Sequence, residues 1–146
     1  MAVNPRTKGQ RGEYAVRDLL RKHSGLTFER VPSSGALSYL KGDLYVPQQP
    51  NNFCIEVKNY KDSHINDKIL TSKTNKIVEW WEKIECQAIE AGQEPLLFVK
   101  YDRSKIFAVT AQKPAKVKNF LYISPLNCYI IIAEEWLSTE KIQWLK

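Results

Sequence analysis

Asn52-Phe53-Cys54-Ile55-Glu56-Val57-Lys58-Asn59, with Asp43 opening the apolar run Asp43-Leu44-Tyr45-Val46 upstream, is the stretch on which the fold turns. Twelve residues separate Asp43 from Glu56. The octapeptide is β-branched and aromatic in content, as a strand requires. Side chains alternate faces along a strand, so Glu56 and Lys58 point one way and Ile55 and Val57 the other. Two carboxylates and an ammonium gathered this way can hold a divalent cation beside a proton-handling amine. That is minimal equipment for metal-assisted phosphodiester hydrolysis. A lone Glu-x-Lys, by contrast, is most often a surface ion pair on a sheet.

Outward from this run, the rest of the chain reads as alternating helices and strands. The polar turn Pro47 to Asn52 joins Asp43–Val46 and Asn52–Lys58 as a strand pair. Upstream, Lys8 to His23 reads as a helix with Tyr14, Ala15, Leu19 and Leu20 as its apolar stripe, stopped by Ser24-Gly25. Phe28–Val31 reads as a short strand, and Pro32 to Ser38 as a loop of small residues rich in backbone donors. Downstream, Leu70, Ile77, Trp81, Ile84 and Ala88 recur at helical spacing and predict one long helix over 65–91, closed by Gly92. Trp80 and Trp81 are adjacent, so only one is expected in the core, leaving the other for a surface or a dimer interface. Strands are expected at Leu96–Tyr101, Ile106–Thr110 and Cys128–Ala133, and a terminal helix over Glu134–Leu145 burying Trp136 and Leu137. The expected fold is an α/β sandwich, a mixed sheet flanked by helices.

The 146 residues suit a single domain with a core of its own, with residues 1–7 as a basic, mobile arm. Net charge is +6, and residues 1–42 carry eight basic side chains against three acidic, so most of the surplus precedes Asp43. A basic surplus fits a polyanionic partner without proving one. Cys54, Cys86 and Cys128 are too few and too scattered for a zinc site or a disulfide framework. No signal-peptide core opens the chain and no apolar run reaches membrane-spanning length, so a protein of the cytoplasm with no membrane partner is expected. His23 and His64 lack metal-ligand spacing and receive no catalytic role.

Four motifs then fall in order: Gly9-Gln10-Arg11-Gly12-Glu13, Arg30-Val31-Pro32-Ser33-Ser34-Gly35, Asp43, and Glu56-Val57-Lys58. The set resembles the PD-(D/E)xK nuclease superfamily, and within it the archaeal-type Holliday junction resolvases. The resemblance covers residues 8 to 58, about a third of the chain; beyond them it rests on element order, a long helix and then a strand led by Glu94-Pro95. Gly42 stands where the superfamily's motif has proline. The stretch Tyr60 to Thr74 is longer and more polar than the family pattern.

The resemblance implies a restriction-endonuclease-like fold and a metal-dependent, structure-specific DNA endonuclease cutting four-way junctions by paired symmetric nicks. It implies Mg²⁺ with Mn²⁺ as a substitute, and a homodimer acting on branched DNA. Asp43 and Glu56 are the expected direct ligands, with the Val57 carbonyl as a third. Lys58 is expected at the attacking water and scissile phosphate, and Glu13 at a water of the ion or a second ion. Ser34 completes the expected catalytic set. Arg6, Lys8, Arg11, Arg30, Ser33, Ser34 and Gly35 are the expected DNA contacts, and Lys113, Lys116 and Lys118 form a second basic patch. Another nuclease of the superfamily, of restriction or repair type, and a catalytically silent DNA-binding relative are the competing readings. The intact Asp43, Glu56 and Lys58 set argues against the silent one. Taken singly these residues have blander roles: Glu13 an i,i+4 partner of Arg17, Asp43 a turn cap, Arg30 a partner of Glu29.

Overall fold

A computed structural model of the chain describes residues 4–32 and 40–146. The first helix, α1 (Pro5–Ser24), starts three residues earlier than expected. Asn4 caps it by accepting from the Arg6 N–H at 2.8 Å, and Pro5 at the first helical position is preset for the turn. Pro5 to Thr7 therefore belong to the helix and not to an arm. The buried line of α1 is Gly12, Val16 and Leu20, whereas Tyr14 stands 41% exposed.

Strands β1 (Glu29–Arg30), β2 (Leu44–Tyr45) and β3 (Phe53–Tyr60) follow. A short α2 (Lys68–Thr71) and a longer α3 (Lys76–Ala91) come next, then β4 (Glu94–Tyr101), β5 (Phe107–Thr110), β6 (Phe120–Ile123), β7 (Cys128–Ile132) and α4 (Ala133–Thr139). The seven described strands form one mixed sheet in the order β1-β2-β3-β4-β5-β7-β6. Only β3 and β4 run parallel, Glu56 opposite Leu97 and Lys58 opposite Val99; every other neighbouring pair is antiparallel. The expected mixed sheet flanked by helices is present.

Alternation divides the core in two. Phe53, Ile55, Val57, Leu96 and Phe98 pack on one face with Val16 and Leu20 of α1 and Trp136 of α4. Cys54, Leu97, Val99 and Val109 pack on the other with Ile77, Trp81, Ile84 and Ala88 of α3. Cys54 and Cys128 are buried, as small hydrophobes of this second face.

Three expectations need correction. The single helix over 65–91 is two, because Ser72 is extended and Asn75 caps α3 by accepting from the Ile77 N–H at 2.8 Å; Leu70 is exposed and Ile69 buried instead. Both tryptophans are buried, because the segment before α3 folds back over it: Asn75 donates to the His64 carbonyl at 3.1 Å, and the Tyr60 and His64 rings cover Trp80. The terminal helix ends at Thr139. Beyond it the chain turns extended, pairs Leu145 with Asn51, and packs Trp144 against Phe28, Phe53 and Trp136. Strand β6 was not anticipated, although Phe120-Leu121-Tyr122-Ile123 has strand composition.

Candidate active site

The site sits where β2 leaves β3. Only Leu44 pairs with β3, opposite Ile55, so β3 has an open edge from Glu56 onward. Gly42 makes the departure possible. Its φ is +86° and an added Cβ would lie 2.5 Å from the Ile55 carbonyl oxygen, so the position excludes side chains and proline's fixed negative φ alike. Asp43 can then donate its N–H to Ile55 O at 2.6 Å and accept from the Val57 N–H through Oδ2 at 2.8 Å. The carboxylate thus satisfies a backbone donor that a neighbouring strand would otherwise take. A strand's backbone groups alternate sides, so the Val57 carbonyl opens onto the same edge.

Glu56 and Lys58 share a face, with 3.4 Å between Lys58 Nζ and Glu56 Oε1. Lys58 Nζ also stands 5.7 Å from the centre of the Trp80 ring, a cation–π arrangement that holds the ammonium on the Glu56 side. Glu13 arrives from α1. Gly12 permits the approach, since a Cβ there would lie 2.6 Å from Asn59 Cβ, and Asn59 Nδ2 ties the helix down by donating to Lys8 O at 2.8 Å. The result is a cleft of about 780 Å³ lined by Lys8, Glu13, Asp43, Glu56, Val57 and Lys58, among others.

Negative charge is crowded here. Burial pushes the Asp43 carboxyl up to about 7, and nearby Glu56 and, more weakly, Glu13 push the same way against the Val57 N–H and Lys58. Glu13, Asp43 and Glu56 share the cleft with Lys8, Lys58 and Lys61, and the hard oxygen donors of the carboxylates could take a divalent cation. Asp43, Glu56 and the Val57 carbonyl are the groups placed to hold it. Among the described residues no three His, Cys, Asp or Glu side chains converge as a ligand cluster.

Other expected residues separate. Glu13 does not pair with Arg17; it accepts from Arg30 Nε at 3.0 Å. Arg30 also donates to Tyr14 Oη at 3.2 Å, and these partners hold its guanidinium firmly charged. Glu29 takes Arg21 instead, at 2.8 Å. Lys8 spans the cleft mouth to Asp102 at 2.6 Å, while Arg6 and Arg11 lie exposed on α1. Ser33, Ser34 and Gly35 fall outside the described residues. Lys113, Lys116 and Lys118 lie far from the cleft: they follow Gln112, which bonds Glu94 at the other end of β4. Sequence reasoning missed Tyr60, Trp80 and Asp102, which form the cleft's outer wall or its backing. Tyr60 lies two residues after Lys58, and strand alternation alone would have put it on the site's face.

The family described as "Phage putative PDDEXK endonuclease" matches residues 4–140. "Protein D14" of Escherichia phage T5 is 40% identical over 156 aligned residues, covering 98% of both chains. Among solved structures, Hjc of Archaeoglobus fulgidus, a Holliday junction resolvase, is similar at a TM-score of 0.47 and 17% identity, covering 90% of this chain and 93% of that one.

Proposed function

The chain belongs to the phage PD-(D/E)xK endonuclease family, and on that basis we propose that it is a metal-dependent, structure-specific DNA endonuclease that resolves four-way junctions as a homodimer. The observation that carries the hydrolytic part is the convergence of Asp43, Glu56 and Lys58 at the open edge of β3, with Glu13 facing them across the cleft. The junction part is supported by the ordered motifs from Gly9 to Lys58 and by the basic first third of the chain.

In this reading Asp43, Glu56 and the Val57 carbonyl would hold Mg²⁺, for which Mn²⁺ would substitute, and Glu13 would hold a water of that ion or a second ion. When bound, such an ion acidifies water and neutralises phosphate charge. The reaction joins a water oxygen to phosphorus and breaks the bond to the 3′ oxygen, which departs with the electron pair and takes up a proton. Lys58 orients that water and supplies positive charge as negative charge builds on the phosphate. Trp80 fixes the direction of the Lys58 ammonium. Arg30 holds the Glu13 carboxylate in place at the cleft, donating to it from Nε at 3.0 Å. Ser33, Ser34 and Gly35 offer hydroxyl and backbone donors to a phosphate, and Arg6, Lys8 and Arg11 contact the backbone of the DNA.

The test is cleavage of a labelled four-way junction, a linear duplex and a single strand, each with and without Mg²⁺. Paired symmetric nicks near the junction centre, dependent on the ion, are expected. Equal or better cutting of linear duplex would make the enzyme a restriction- or repair-type relative, and binding without cutting a silent one. Retained metal-dependent cleavage in Glu56→Gln or Asp43→Asn would remove the site assignment.

A further inference from the structure

Tyr60 ends β3 on the same face as Lys58, and about 6.6 Å of strand separates the two positions. Its ring stacks on Trp80, with centroids 5.1 Å apart and planes 29° from parallel, and meets the edge of His64 at 5.4 Å. Trp80 is itself 8% exposed and backed by α3, and His64 Nδ1 bonds Tyr101 Oη at 3.1 Å. One side of Tyr60 is therefore held by a rigid aromatic stack. Tyr60 nonetheless remains 41% exposed, and it lines the same cleft as Lys8, Lys58 and Lys61. A ring that merely covered Trp80 would gain nothing from facing a lysine-lined cleft beside the scissile position.

We propose that the Tyr60–Trp80 stack is a platform for an unpaired DNA base, so that the enzyme prefers sites where a base next to the cut has left its helix. The proposal rests on the DNA-cleavage reading above and adds to it a recognition element. Base stacking on an aromatic face is sequence-tolerant, because every base has a π-face, and lysines beside it can follow the backbone. A nucleotide whose phosphate meets Lys58 can lay its base on Tyr60, one strand repeat away. Fully paired, continuous duplex keeps its bases stacked on each other and cannot use the platform. Branch points, flaps and frayed ends can.

The experiment uses a four-way junction carrying 2-aminopurine at the branch point, bound in Ca²⁺, with a second junction labelled in mid-arm as control. Wild type, Tyr60→Phe and Tyr60→Trp are expected to quench the branch-point label, and Tyr60→Leu is not. Removing one stacked base typically weakens binding roughly ten- to a hundred-fold. The ratio of junction to duplex affinity should fall by about that factor in Tyr60→Leu and stay within about twofold of wild type in Tyr60→Phe. Equal ratios and equal quenching in Tyr60→Leu and Tyr60→Phe would overturn the platform, as would a wild type that binds the junction without quenching it. Either result leaves the cleavage reading standing. A wild type that neither binds nor cuts any of these DNAs overturns both. Melting temperatures of all variants show whether a loss is local, and the wild-type quench decides the question even if Tyr60→Leu folds poorly.

Discussion

At the scale of single residues, Asp43 is held at a cost to the fold. Its carboxyl accepts the Val57 N–H, yet burial and the Glu56 charge raise it to about 7, above its ordinary value near 3.8. An acid raised in the folded state gains nothing from ionising there. The metal-free protein should therefore be most stable at low pH with respect to this group, losing stability as pH rises from about 4 to about 7 and levelling off above. Asp43→Asn keeps an oxygen for the Val57 N–H and removes the charge. It is expected to raise metal-free stability by about 1–2 kcal/mol at pH 8, a figure reduced because the cleft admits water, and to change nothing near pH 4. Urea unfolding of both proteins across that range in EDTA checks the sign. Cleavage by the same variant should drop at least about a hundred-fold. Added Mg²⁺ should stabilise wild type but not the variant.

At the scale of elements, the site depends on how closely α1 approaches β3. Gly12 meets Asn59 with no room for a methyl group, so Gly12→Ala must push the helix outward and carry Glu13 away from Asp43. A loss of about 1–3 kcal/mol in stability is expected from the overpacking, read by thermal unfolding, with a larger proportional loss in cleavage rate. Farther off, the Glu140 carboxylate gathers the N–H groups of Ala115, Lys116 and Val117 at 2.7, 2.6 and 2.8 Å. Burial opposes its ionisation, but the three donors and Lys116 outweigh it and hold the carboxyl below its usual range. Such a group stabilises above the unfolded value near 4.5 and stops doing so as pH falls through its lower folded value. Glu140→Gln should therefore cost about 1 kcal/mol at pH 7 and nothing once both forms are protonated, as chemical denaturation at several pH values will read. Elements of this kind were unevenly legible. The β2–β3 pair and the Asp43, Glu56 and Lys58 faces could be read from local alternation. Asn75 is a helix-capping residue type, and it marked the true start of α3 within a polar run that the apolar periodicity overran. The burial of Trp80 was not legible, because it depends on Tyr60 and His64 folding over α3. No spacing rule encodes that contact. Nor did any local signal say that Glu13 would turn to Arg30, seventeen residues on.

At the scale of the whole molecule, the proposed reaction asks for two sites, and the described residues of one chain form one such cleft. A four-way junction has two-fold symmetry, so two copies related by a two-fold axis would present two identical clefts to it. The net charge of +6, concentrated in the first 42 residues, would supply the contact with phosphates, and binding should weaken steeply with added salt. Dimeric action has a consequence that binding alone does not. If wild type is mixed and refolded with a tagged, cleavage-dead Asp43→Asn chain, hybrid dimers can make only one of the two nicks. On a supercoiled plasmid with an extruded cruciform, paired nicks linearise the circle and single nicks only relax it. In an equal mixture about a quarter of dimers are fully active, so linear product should fall to about a quarter of the wild-type yield while nicked circles accumulate. Independent monomers would instead leave about half the cutting activity, with linear and nicked forms in their original proportion. Gel separation of the two products over a series of mixing ratios distinguishes a quadratic from a linear dependence on the wild-type fraction. A linear dependence would show that each chain cuts alone.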